Sequence, residues 1–366
     1  MTLVNDQRAQ LEELYEEMAP SHLTPLWELL SQLVLPQPRS PAVSHRWNYD
    51  DARSYLLRAG DIISAEQAER RVLILENPGL EGLSAITPSL YAGLQLILPG
   101  EIAPSHRHTQ CALRFVIEGS GAFTSVGGEK AVMNPFDLVL TPGWEWHDHG
   151  NPTDTPMIWL DGLDIPTVRH FDASFAEHLG EKVHPETAPP GASIATYGHN
   201  MRPMRGHVAD YRPAHQPLFH YPYAQWRPAL DAMAASATID PHLGHALEFL
   251  NPADGGAIMD TISAHVRLLP AGFTSSRAAR PTARFSSWLR GKVPHGWASV
   301  RSRLAIATSS LSRRGRNCDW RRGRISSCSA SPTRSPSRNS DSIRRNVRDR
   351  DFRTPTASAC QDHGRT

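Results

Sequence analysis

PGEIAPSHRHTQCALRFVIEGSGAFTSVGGEKAVMNPFDLVLTPGWEWHDHG, residues 99 to 150, is the stretch around which the chain is organised. His106 and His108 stand two residues apart ahead of LRFVIEG, a run rich in branched and aromatic residues that predicts a strand. Residues i and i+2 of a strand face the same side, so the two imidazoles project together. His147 follows a second apolar run, DLVLTPGWEW, with its Pro-Gly turn, and His149 repeats the i, i+2 spacing. Three neutral imidazoles brought to one point make a strong site for a first-row metal, which nominates His106, His108 and His147 as ligands.

GEIAPSHRH followed by PFDLVLTPGWEWH resembles the two motifs of the cupin superfamily, whose metal sits inside a small antiparallel β-barrel. The usual cupin glutamate, three or four residues beyond the second histidine, is replaced here by Ala112 and Leu113. The phrases SHRHTQCALRFVIEG, TPGWEWHDHGN and ERRVLILENPGL are similar to the gentisate 1,2-dioxygenase family, which includes salicylate- and 1-hydroxy-2-naphthoate-cleaving members. The likeness runs from the N-terminal helices to about Thr274. It implies a mainly β fold: a cupin barrel (double-stranded β-helix of jelly-roll type) with N-terminal helices and an incomplete second cupin. It also implies an Fe(II) cofactor on three histidines, a small aromatic acid and O2 as partners, ring opening of gentisate to maleylpyruvate, and homo-tetramers for intact members.

The missing carboxylate makes chemical sense by itself. Three neutral ligands leave a divalent ion its full charge and open positions, which suits a chelating anion such as an aromatic acid with an adjacent hydroxyl. Arg114, at an even offset from His108, is aimed to the histidine side, where a buried cation needs a partner and a substrate carboxylate supplies one. His149 is expected to act by hydrogen bonding or proton transfer and not as a fourth ligand. Asp161, closing the strand PMIWLDGLD, would orient His149 or another imidazole, or serve as a turn residue before Gly162. Gln95, polar amid the apolar alternation of SLYAGLQLILPG, is expected to bond a ligand inside the barrel or to face water at an edge. One of Arg70 and Arg71 would fork onto the substrate carboxylate, the bland alternative being a surface ion pair. Trp144, Trp146 and Trp159 are expected as walls and core. A cupin isomerase or decarboxylase with another metal, and a non-catalytic ligand-binding protein, are the competing classes.

Outward from this stretch the organisation is uneven. Residues 1–65 predict a helical segment, with one amphipathic helix presenting Leu11, Leu14, Tyr15 and Met18 and another, N-capped by Ser21, presenting Leu23, Leu26, Trp27 and Leu30, each face expected to pack against the barrel or a neighbouring subunit. A proline-rich connector precedes a helix near Asp50–Ala59. Residues 66–170 form the metal-binding barrel, 171–240 a connector with a helix, and 241–274 the opening strands of a second cupin. The histidines of the connector, His170, His178, His184, His199 and His207, have no paired spacing and are expected in solvent. The N-terminus has no apolar signal segment, no run reaches a membrane span, and the four cysteines include no Cys-x-x-Cys pair. Cytoplasmic location, without disulfides or membrane contact, is the resulting expectation.

The formal net charge of +1 averages two unlike parts. Residues 1–274 hold 17 Lys+Arg against 32 Asp+Glu, whereas residues 275–366 hold 21, of which 20 are Arg, against 5 Asp and no Glu. The basic tail alone would suit a disordered nucleic-acid arm. Its Arg/Ser bias and absence of alternation instead resemble an out-of-frame reading of a GC-rich gene. The expectation is therefore an aberrant, disordered tail after a frame lost near residue 275, no nucleic-acid partner, and a chain that expresses poorly because its second barrel is cut short.

Overall fold

The computed structural model describes residues 2–36, 39–204, 216–274, 284–288 and 305–309. It opens with α1 (Thr2–Met18) and α2 (Leu26–Leu33), then β1 (Arg46–Asn48), α3 (Tyr49–Ile62) and the single turn α4 (Ala65–Ala68). The barrel strands follow: β2 (Val72–Ile74), β3 (Tyr91–Ile97), β4 (Ile102–His108), β5 (Ala112–Glu118), β6 (Phe123–Val126), β7 (Glu129–Val132), β8 (Leu138–Thr141), β9 (His147–Gly150) and β10 (Met157–Leu163). After them come α5 (Ile165–His170), β11 (Ala176–His178), α6 (Ala192–Tyr197), β12 (His220–Tyr221), α7 (Tyr223–Ser236), β13 (His245–Glu248), β14 (His265–Leu268), β15 (Arg284–Trp288) and β16 (Ala305–Ser309).

Two antiparallel sheets make the barrel, one in the order β12-β8-β5-β10-β3-β2 and the other β11-β4-β9-β6-β7. Alternation along β3 divides its side chains. Ala92, Leu94 and Leu96 pack outward with Ile158 and Leu160 beneath Tyr49 and Leu56 of α3, while Ile97 joins Val116, Val126, Ala131, Met133 and Trp159 between the sheets. The larger sheet thus buries apolar residues on both faces, with Gln95, Arg114 and Asp161 as buried polar exceptions, and β3 and β10 read as nearly continuous hydrophobic runs. Leu56 is fully buried, so its truncation to Ala costs about 2–5 kcal/mol.

The second helix departs from its sequence reading. Ser21 ends a 3-10 turn and α2 begins after the extended Pro25. Leu23, Leu26, Trp27 and Leu30, expected to pack on the barrel or on a neighbouring subunit, do not meet the barrel and are 59%, 54%, 60% and 48% exposed in the single chain. The two helices are tied by polar bonds, Trp27 Nε1 to the Tyr15 hydroxyl at 2.7 Å and that hydroxyl to Glu28 Oε1 at 2.8 Å.

Downstream, β13 and β14 pair as a two-stranded antiparallel sheet, and Phe249, Ile258, Met259 and Ile262 pack into the core of the first barrel. Of residues 275–366, β15 and β16 are described, forming a small sheet with β1 in the order β1-β16-β15. The aromatic and branched residues of RFSSW and AIATS favour extended backbone there. The rest of that tail, and with it the expectation of a lost frame, lies outside the described residues. No helix among the described residues is long and apolar enough to cross a membrane.

Candidate metal centre

The pairing of β4 with β9 shifts register between Ala103 and His106, setting His106 directly opposite His147. His108 follows on the same face. The ring centroids lie 4.2 Å (His106–His147), 4.8 Å (His108–His147) and 5.4 Å (His106–His108) apart. One nitrogen from each falls within 4.8 Å of the other two, and no Asp or Glu joins this group among the described residues. The backbone selects which nitrogen is offered. His108 Nδ1 donates to the Gln110 carbonyl at 2.8 Å and His147 Nδ1 to the Glu145 carbonyl at 2.9 Å, so both present Nε2. His147 Nε2 is buried without a hydrogen-bond partner.

Burial, reinforced by Arg70, pushes His106 down to about 2, and burial with Arg114 brings His108 to about 4. Burial holds His147 well below the ordinary imidazole range, with His106 adding to it. All three rings are therefore neutral at neutral pH, the state a metal requires. The orphaned inward nitrogen of His147, the tautomers that backbone carbonyls set for His108 and His147, and three converging neutral rings fit a divalent first-row ion.

His149, two residues on, lies outside the trio, its ring 5.8 Å from that of His147. Its Nδ1 is 2.8 Å from Thr124 Oγ1, whose proton is directed to Met133 Sδ at 3.3 Å. His149 Nε2 is buried and has no hydrogen-bond partner. Burial, reinforced by Arg114, keeps this ring neutral as well.

Arg114 is buried with its Nη1 2.5 Å from Thr141 Oγ1 and its Nε 3.5 Å from Asp161 Oδ1. Here the structure corrects the role given to Asp161. It orients no imidazole, because its register partner on β5 is Arg114 itself, and its Oδ1 also accepts from Trp159 Nε1 at 3.0 Å. Burial pushes its carboxyl up to about 6 against the pull of Arg114.

Arg70 and Arg71 find different partners after the end of α4, where Glu69 takes φ 53 and ψ −51, an unfavourable conformation for a residue with a side chain. Arg70 then reaches the Pro104 carbonyl at 2.8 Å and His106 Nδ1 at 2.5 Å. Arg71 is committed elsewhere, forking onto Glu101 at 2.7 and 3.0 Å and onto the Ile63 carbonyl. Burial, with Arg114 nearby, lowers Arg70 to about 10, so it remains a cation.

Gln95 stands opposite Trp159 on the inner face and is 4% exposed. Tyr91 shares that face, and the sequence reading gave it no role. Its hydroxyl lies 2.8 Å from where a Cβ on Gly93 would fall, and Gly93 pairs with Asp161. Burial and the Asp161 charge raise its phenol. Thr124 and Thr141 also went unnoticed, since a single threonine in an apolar strand carries no distinctive pattern.

Trp144 and Trp146 are not inner walls. They stand half-buried on either side of Arg107, whose guanidinium carbon is 4.3 and 4.5 Å from their ring centres, whereas Trp159 is fully buried in the core. Of the connector histidines, His178 is exposed, with its ring 6.4 Å from His106. His184 is not a solvent residue: it is half-buried, its N–H donates to Asp148 at 2.8 Å and its ring stacks on Trp146. His207 lies outside the described residues.

Residues 93–163 match the cupin domain family. The chain is 49% identical over 282 residues to gentisate 1,2-dioxygenase 1 of Aquipseudomonas alcaligenes, covering 76% of this chain and 80% of that one. It is 36% identical over 266 residues to a 5-aminosalicylate 1,2-dioxygenase of a Comamonas species, covering 72% and 70%. The salicylate 1,2-dioxygenase of Pseudoaminobacter salicylatoxidans, solved with gentisate, superposes with a TM-score of 0.66 at 31% identity over 82% of this chain and 87% of that one. With its three-histidine centre on β4 and β9, the chain belongs to the gentisate 1,2-dioxygenase family of ring-cleaving cupin dioxygenases.

Proposed function

We propose that His106, His108 and His147 hold Fe(II) and that the chain opens gentisate with O2, between the carbons bearing the carboxylate and the adjacent hydroxyl, to give maleylpyruvate. The observation that carries this is the convergence of three imidazole nitrogens with no carboxylate in the group. Fe(II) bound there supplies a centre through which electrons pass from the chelated ring to O2, so no external reductant is needed.

The remaining work falls to the surrounding side chains. Arg114 and Arg70 bring two cations to the histidine side of the pocket, where a substrate carboxylate completes the charge balance that Asp161 alone leaves open. His149 Nε2 accepts a proton or a hydrogen bond from a substrate hydroxyl. Gln95 offers its amide from the inner face, and Trp159, packed across from it, excludes water.

Anaerobic reconstitution with Fe(II), followed by oxygen uptake with gentisate, salicylate and 1-hydroxy-2-naphthoate, tests the proposal. Uptake is expected with gentisate in a 1:1 ratio, from the stoichiometry of a dioxygenase, and is abolished in His147→Ala. A metal-loaded chain that consumes no oxygen with any of the three acids refutes it and leaves a cupin with non-oxidative chemistry.

A further inference from the structure

We propose that Arg107, which touches neither the metal position nor the substrate pocket, is a positioning residue that sets the direction of His147. The inference rests on the metal-site reading above. Arg107 lies on β4 between two of the three histidines and therefore projects to the opposite face. There its guanidinium is held between Trp144 and Trp146, 4.3 and 4.5 Å from the ring centres, and its Nε and Nη2 donate to Glu177 Oε2 at 2.8 and 2.5 Å.

The two indoles flank Glu145, and it is the Glu145 carbonyl that takes the Nδ1 proton of His147 at 2.9 Å. Clamping both neighbours of Glu145 fixes that carbonyl, and the carbonyl fixes the ring. A second observation points the same way. Trp144 has φ 68, in the left-handed region that a bulky aromatic residue rarely occupies. It is kept there by the donation of its N–H to the His108 carbonyl at 2.7 Å, by the Arg107 face, and by Phe175 at 4.7 Å. Arg107 thus joins the strand bearing His106 and His108 to the loop that aims His147.

Replacement of an outer partner of a metal-bound histidine typically weakens metal binding about 10–100-fold. Since Arg107 acts through one intervening carbonyl, about 10-fold faster metal loss is expected in Arg107→Met. The probe is Co(II), whose visible ligand-field bands report ligand geometry independently of turnover. Co(II)-loaded full chains of wild type, Arg107→Met, Arg107→Lys and Lys130→Ala are compared by chelator-chased dissociation, by their Co(II) spectra and by the unfolding midpoint of the metal-free form. Lys130 is the control: on the edge strand β7 of the same sheet, one strand removed from β9, it makes a similar cation contact with Phe123 and an ion pair with Glu186, and touches neither Trp144, Trp146 nor Glu145.

Faster loss and altered bands in Arg107→Met, with partial rescue in Arg107→Lys and none of this in Lys130→Ala, support the proposal. Unchanged loss in Arg107→Met, or equal acceleration in Lys130→Ala, overturns it. Should Arg107→Met not fold, Trp146→Leu opens the same clamp from its other side, and wild-type loss and bands in that variant overturn it equally. A wild-type chain that takes up no Co(II) refutes the metal reading itself.

Discussion

Replacing Asp161 with Asn should remove a pH dependence from the binding of aromatic acids. Asp161 pairs with Arg114 across β10 and β5 at 3.5 Å, and burial places its titration at about 6. Below that pH the acid is neutral, and Arg70 and Arg114 face an incoming carboxylate with their charge uncompensated. Above it, the Asp161 anion repels the ligand. An anion seated on Arg114 sits roughly 7 Å from the Asp161 carboxylate, the span of a guanidinium with a hydrogen bond on each side. At an effective dielectric of about 20, that repulsion is about 2 kcal/mol, or about 30-fold in affinity. The pocket histidines do not compete in this window, since burial holds His106 at about 2, His108 at about 4, and His147 and His149 well below the ordinary range. The assay is anaerobic isothermal titration calorimetry of the metal-free protein with salicylate at pH 5 and pH 8. Wild-type binding should weaken about 30-fold between the two, and Asp161→Asn by less than about threefold. Equal pH dependence in the two proteins would refute the assignment of that charge.

The same carboxyl links pH to stability. Its folded value of about 6 lies above the unfolded value of about 3.9, so its contribution is fully present below about pH 4 and is lost as pH rises through about 6. The loss is about 3 kcal/mol, read as a change in the difference between wild-type and Asp161→Asn urea midpoints. Arg71→Met leaves Glu101 without its partner and should cost about 3–5 kcal/mol in denaturant titrations while metal stoichiometry stays unchanged. His149→Gln should keep the metal, checked by elemental analysis, yet lower turnover by about 10²-fold or more if Nε2 handles a proton.

What could be read from the sequence was whatever depends on strand alternation. His106 and His108 share a face because they are two apart on β4, whereas Arg114 lies on β5 of the other sheet, beyond the turn at 109–111, so its arrival beside them could not be counted off from His108. The apolar outer face of β3, and the polar Gln95 on its inner face, follow from the same rule. Where alternation stops, so did the reading. Trp144 and Trp146 lie in a Pro-Gly loop whose backbone includes a positive φ, so their direction away from the pocket could not be counted off from His147. Arg70 and Arg71 are adjacent in sequence, and only the tertiary partners each finds, Pro104 and His106 for one and Glu101 and Ile63 for the other, tell them apart. Asp161 could be placed on the inner face, but its partner depends on the β10–β5 register, which a single strand does not disclose. The exposed leucines of α2 show a limit of another kind: a helical stripe announces an apolar face without saying what meets it.

The central claim is that three imidazoles, and no protein carboxylate, hold the metal. Extended X-ray absorption of the anaerobically Fe(II)-loaded chain measures it directly, because imidazole rings give a distinctive multiple-scattering pattern that can be counted. Three imidazoles in the wild type and two in His108→Ala are the expected result. A wild-type fit that requires two imidazoles, or four, contradicts the account.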